Sequence, residues 1–488
     1  MTNEINNLFK RYKLDDTLYK IGELTRDMVV NIKGIQEAHW HRKLGRFYQS
    51  GFMYVTPWQL TGLAYELICN SNDYKSKIVK DENELLSLLS KYQQYDEVLS
   101  SERMDNVKES DILLYITFGH SQQQFWYQNL QQIIIQFNRN TEILLYIWKD
   151  INSSIDIDNI IYDKLGFDSD TFNKLLVYLL WINLKETDIS SKEVYNILEE
   201  YDPSLIKDNL KKVIELYTAN YEFFRKQMKL EENSLFVKPI IKTDTNKLLI
   251  VNHHLLIKLL SDGLYWIIRN HFYEKDSQDF INDFGRAFEV YLENVLKHYL
   301  NKKIYYHLPD SNKHKIADWI IETDEFFIIL EQKSTIASLA LKTMYPDINN
   351  LKKYINKFNE GFSQLNETEK VLKKQIGKRK IVKLIVHYEN LYVQNVLKSE
   401  IQKSRNNKEE DLNIFFINIY ELERLLYVLS TDINVFYEIL EKMLLVSSQF
   451  SVESRDFNQI MNNLEIKQND YLSNNRNHFD RILNELEK

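Results

Sequence analysis

Apolar residues return every three or four positions through the first half of the chain. "NLQQIIIQFNRNTEILLYIWKDI" and "LIKDNLKKVIELYTANYEFFRKQ" are typical, and this spacing lines one face of a helix. Thr56-Pro57-Trp58 has the form of a helix start, with Thr as cap and Pro in the first turn. Residues 1–230 are therefore expected to form a helical N-terminal domain that senses, recruits or oligomerises. "EAHWHRKLGRFY" is read with it as helical, which sends His39 and His41 to different faces and argues against a metal pair. Near residue 234 the pattern changes. "SLFVKPIIKTDTNKLLIVN" runs apolar around a turn-like "TDTN", so residues 231–275 are expected to hold a bridging strand pair and the helix "HHLLIKLLSDGLYWIIRNHF".

Beyond the helix "DFGRAFEVYLENVLKHYL", helices and strands alternate. The expected strands are Lys303–His307, Lys315–Ile321, Phe326–Lys333, Ile381–His387 and Leu412–Ile417. Such alternation predicts an α/β layer around a central sheet over residues 276–445. The fold class expected is thus α+β and multidomain. After about residue 446 the chain turns polar and Asn-rich, and 446–488 read as an appendage.

Composition sharpens this picture in three places. Gly (11) and Pro (5) are scarce in 488 residues, which favours long helices over tight hairpins. Cys69 is the single cysteine, so no intramolecular disulfide or Cys-based zinc site can form, and a reducing cytoplasm fits best. No run of eighteen apolar residues and no signal-peptide pattern occurs, so neither membrane insertion nor export is expected. A net charge of −8 requires any nucleic-acid partner to meet a local basic surface.

The chemistry concentrates in "IADWIIETDEFFIILEQKS", where three charged residues interrupt two runs built for burial. With the loop centred on Asp324-Glu325, Thr323 faces Phe326 and Asp318 faces Glu331. Directly opposed residues have Cβ atoms about 4.5–5.5 Å apart. Alternation turns Lys333 to the same face as Glu331. Two converging carboxylates repel unless a cation lies between them, and carboxylate oxygens with water and phosphate are what Mg²⁺ prefers. Such an ion polarises a phosphodiester and lowers the pKa of a bound water, with the Lys333 ammonium beside it.

Asp318 followed by Glu331-Gln332-Lys333 across a hairpin resembles the PD-(D/E)XK nuclease superfamily, whose fold is restriction-endonuclease-like with a central mixed sheet. Ala317 stands where the motif's name has proline. The resemblance covers 276–445. It implies that Asp318 and Glu331 bind Mg²⁺ or Mn²⁺, that Lys333 is the catalytic lysine, and that Glu289 on the preceding helix and Gln364 on the following one assist, Glu289 as a further metal ligand. A literal Pro309-Asp310 lies in a polar turn and is set aside.

Lys370, Lys373, Lys374, Lys378, Arg379, Lys380 and Lys383 follow with no acidic residue among them. Of these, Lys373, Lys374, Lys378, Arg379 and Lys380 are expected to track a phosphate backbone beside the site, helped by Lys342, Lys352, Lys353 and Lys357. The expected activity is hydrolysis of nucleic acid, DNA favoured over RNA. By resemblance to bacterial nucleases fused to helical domains, anti-phage defence is the expected setting, with a homo-oligomer or a partner protein of a defence complex. The rival expectation is a non-catalytic scaffold that keeps a nuclease fold for binding nucleic acid or protein.

Overall fold

The computed structural model describes residues 7–486 apart from 32–35, 45–46, 73, 76, 106, 125–129, 191–202, 229–233, 276, 310–314, 343–345, 392–393, 407–408, 449–459, 462–470 and 474–475. Asp310 of the set-aside Pro-Asp pair lies outside them.

The first half is mostly helical, for local reasons that can be read residue by residue. Thr56 accepts the Gln59 N–H and Pro57 opens the helix Pro57–Asn70, as expected. Asp156 and Asp168 cap Ile157–Leu165 and Ser169–Lys185, and Gly166 closes the first of these at φ 81°, a conformation few other residues adopt. Helix α1 (Leu130–Thr141) and helix α2 (His253–Tyr273) pack against each other at the centre. His253 and His254 are buried in α2, and burial pushes both down to about 3.

One segment departs from expectation. Gln36–Leu44 (β1) and Phe47–Val55 (β2) are not helical but form an antiparallel hairpin, registered from Gln36 opposite Val55 to Leu44 opposite Phe47. The cause is a period of two: Phe52 and Tyr54 are exposed while Met53 and Val55 are buried. The helix-face argument for His39 and His41 therefore lapses.

Strand β3 (Thr218–Asn220) runs parallel to β4 (Ile240–Lys242), which pairs antiparallel with β5 (Leu248–Ile250) around the "TDTN" turn, where Asn246 takes φ 62°. Helix α3 (Asp279–Tyr299) then leads into a five-stranded sheet of order β10-β9-β8-β7-β6. Its strands are β6 (Tyr305–His307), β7 (Trp319–Glu322), β8 (Phe326–Lys333), β9 (Lys380–His387) and β10 (Ile414–Asn418). All five fall where the pattern puts them, with ends shifted by up to four residues. β6, β7 and β8 form an antiparallel meander, and β8, β9 and β10 are parallel. The sheet is therefore mixed.

Parallel strands need crossovers, and α4 (Ile348–Val371) and α5 (Gln394–Ser404) supply them. On one face Phe327 and Ile329 share a core with Phe358, Phe362 and Leu365 of α4. On the other, Ile328 and Leu330 join a cluster with Phe284 and Phe288 of α3 and Leu422 and Leu425 of α6 (Ile419–Thr431). That second cluster runs on without a break through the helical half, from Phe9 to Ile482. Within the expected appendage, α7 (His478–Leu486) docks on the helical half: Phe479 is buried edge-on to Phe137, and its N–H donates to Asn138 Oδ1 at 2.8 Å. Among the described residues no helix is long and apolar enough to cross a membrane.

Candidate active site

The β7–β8 hairpin closes as its sequence requires. Thr323 N–H donates to Phe326 O at 2.9 Å, Trp319 faces Leu330, and one step further Asp318 N–H donates to Leu330 O at 3.1 Å. Asp318 thus lies just past the end of the ladder, close enough to Glu331 for its charge to be felt there. Asp318 turns its carboxylate toward β8, where Oδ2 accepts the Gln332 N–H at 2.7 Å. Glu331 is 2% exposed, on the face that α4 covers. Its Oε1 accepts from Lys333 Nζ at 2.7 Å, whereas Oε2 is buried without a hydrogen-bond partner among the described residues.

Helix α4 holds the pair from above. Gln364 Oε1 accepts from Lys333 Nζ at 3.1 Å, and Gln364 Nε2 donates to Ile316 O at 3.3 Å. One turn on, Thr368 Oγ1 accepts the Ala317 N–H at 2.7 Å and donates to Gln364 O at 2.7 Å, tying the residues before Asp318 to the helix. Gly361 permits the approach. A Cβ there would lie 3.3 Å from Lys333 Cε and 3.4 Å from Glu331 Cγ.

Electrostatics follow from burial. Loss of solvent, then repulsion from Asp318, raises Glu331 to about 8, although Lys333 and Gln364 oppose the shift. Burial likewise raises Asp318 to about 6 against the Gln332 N–H and the Lys333 charge, and the Glu289 charge adds to the rise. A carboxylate oxygen sealed from water with nothing to bond is costly unless a cation or a proton meets it. The donor set therefore suits a hard divalent ion held by Asp318 and Glu331 with water completing its shell.

Glu289 is felt at Asp318, but its partner is His307: Glu289 Oε1 lies 3.0 Å from His307 Nε2, and both side chains are about 40% exposed. Among the described residues no group of three or more His, Cys, Asp or Glu gathers as a metal cluster. His307 itself escaped the sequence reading. It ends β6 opposite Trp319, against whose ring it packs edge-on at 4.6 Å. The signal was the register of β6 on β7, which the irregular connection between them conceals.

The basic run is not beside the site. Phe326 pairs with Lys380 and Lys333 with His387, so residues 373–380 sit at the turn end of the sheet, five positions and roughly 17 Å along β8 from Glu331. Three of its members are engaged internally. Arg379 bonds Glu322 at 2.7 Å and lies over Phe327, and Lys380 pairs with Glu441. Lys383 is buried against Glu369 and Asn366. Lys373, Lys374 and Lys378 are exposed. Of the four additional lysines, Lys342 is buried against Glu389 at 2.5 Å and Lys352 pairs with Asp111 at 2.7 Å. Lys353 and Lys357 are exposed on α4, and Lys357 is two turns, roughly 10 Å, before Gln364.

No protein-family model matches the chain, and no curated protein matches it.

Proposed function

We propose that the chain is a divalent-cation-dependent nuclease, its C-terminal α/β region a restriction-endonuclease-like domain of the PD-(D/E)XK kind. The observation that carries this is the buried Oε2 of Glu331, which has no hydrogen-bond partner among the described residues, with the Lys333 ammonium on Oε1 and the Asp318 charge near enough to raise Glu331. A helix, a three-stranded meander and a parallel strand reached through a covering helix agree with that fold.

In this reading Asp318 and Glu331 hold Mg²⁺ or Mn²⁺, which supplies Lewis acidity toward a phosphodiester and a more acidic water. Lys333, shared between Glu331 and Gln364, orients the attacking water and offsets the charge that grows on phosphate oxygens. Gln364 fixes the lysine head, and the Glu289–His307 pair borders Asp318 as an outer acidic group. DNA is the favoured substrate, and Lys357 and Lys370 on α4 are the exposed cations nearest Gln364 along that helix.

The test is cleavage of plasmid and single-stranded DNA and of RNA with Mg²⁺, with Mn²⁺ and with EDTA. Glu331→Gln and Lys333→Ala are each expected to lower the rate by about 10²–10³-fold, the usual cost of removing a preorganised electrostatic group. Cutting that survives in both variants overturns the proposal, and binding without cutting in either metal establishes the scaffold reading instead.

A further inference from the structure

A cavity of about 130 Å³ opens where the helical half meets the carboxyl ends of β9 and β10. Its walls come from α1, α2, the segment after β8 and the residues that follow β9 and β10. Tyr265, Trp266, Tyr388 and Tyr420 give it aromatic surface, and four isoleucines complete the apolar lining.

The cavity is built rather than incidental. Tyr388 donates to Asn140 Oδ1, Asn140 donates to Ser261 O, and Asn390 donates to Gln132 Oε1 at 3.3 Å, so three walls are fixed to one another. Its cations are already matched. Arg139 is paired with Glu423 at 2.7 Å and Lys342 with Glu389 at 2.5 Å, while Lys258 lies 3.8 Å from Asp262. No excess positive charge waits for a phosphate. Asp262, 23% exposed and at the longest of these separations, keeps accepting capacity for an N–H.

Size and chemistry together select the occupant. A cavity of about 150 Å³ holds one benzene-sized ring. Aromatic walls favour a flat π-face, and a carboxylate acceptor favours a ring edge that donates. We infer that this cavity is a binding site for a single one-ring nucleobase that carries an amino group, separate from the Asp318–Glu331 site. It also touches that site's strand: Tyr388 N–H donates to Lys333 O at 3.0 Å, and Glu389 accepts the Ala337 N–H at 2.6 Å.

The experiment is calorimetric titration of the full-length protein in EDTA with cytosine, uracil, adenine and benzene. Cytosine is expected to bind with Kd below about 1 mM, a free energy near 4 kcal/mol. Ile135→Trp, which fills the cavity, and Tyr420→Leu, which removes a ring, are each expected to weaken it at least tenfold with circular dichroism unchanged. Should Ile135→Trp misfold, Tyr420→Leu decides. Absence of cytosine binding at that concentration, equal binding of benzene, or affinity unchanged in Tyr420→Leu overturns the inference. Because EDTA is present and binding alone is read, failure here is distinct from failure of the nuclease reading.

Discussion

Glu331 carries the largest consequence of any single residue. Its folded value near 8 stands above the ordinary 4.5, and Asp318 near 6 stands above 3.8. Between those limits the folded chain keeps protons that the unfolded chain has released, so the contribution of these two groups to stability is fullest at low pH and is lost as pH rises toward 8. The slope is at most about 1.4 kcal/mol per pH unit for each group. At pH 5, 6.5 and 8 the urea unfolding midpoint of the cation-free protein is expected to fall relative to that of Glu331→Gln, a comparison that cancels the opposite slope of the buried His253, His254 and His387. A difference that rises with pH contradicts the assignment. The same protons oppose a cation, so Mn²⁺ affinity, read by titration at those three pH values, is expected to climb with pH in the wild type and to be lost in Glu331→Gln.

At the scale of elements, the site exists because one hairpin and one helix are locked in register. Thr368 accepts the Ala317 N–H from across the sheet. Thr368→Val leaves that buried amide unpaired and is expected to cost about 1–3 kcal/mol in urea unfolding. Gly361→Ala sets two effects against each other. Helix propensity favours Ala by about 1 kcal/mol, whereas the new Cβ presses on Lys333 and Ile385 at 3.3 Å. Stability within about 1 kcal/mol of wild type, with cleavage reduced through displacement of the lysine stem, is the expected result. The hairpin was legible because alternation and a two-residue loop fix register locally, which counts correctly as far as Trp319 opposite Leu330, one step short of Asp318. The relation of residues 373–380 to the site was not, because it depends on the parallel pairing of Phe326 with Lys380 across a 24-residue helix. A charge run spells composition, not position. The β1–β2 hairpin was missed for a related reason: Phe52 to Val55 alternate, but the helical spacing on either side dominated the reading.

The whole molecule is held together across the line that the sequence pattern draws near residue 230. Arg139 of α1 is 1% exposed and makes two hydrogen bonds, of 3.1 and 2.7 Å, to Glu423 of α6, which also accepts from Tyr291 of α3 at 2.6 Å. The Tyr388–Asn140 bond and the unbroken apolar cluster cross the same line. Arg139→Met strands a buried carboxylate and is expected to cost about 3–5 kcal/mol, enough to unfold a marginal protein. Removal of the entire helical half goes further. It bares Phe284, Phe288, Leu422 and Leu425 on one side of the sheet while leaving Glu423 without its guanidinium. Residues 276–445 produced alone are therefore expected to aggregate or to lack a cooperative thermal transition. Co-expression with residues 1–275 is expected to restore a soluble complex, read by size-exclusion chromatography and circular dichroism. A stable, monomeric 276–445 fragment would show instead that the α3–α6 face closes on itself, and that the helical half is carried by the sheet rather than completing its core.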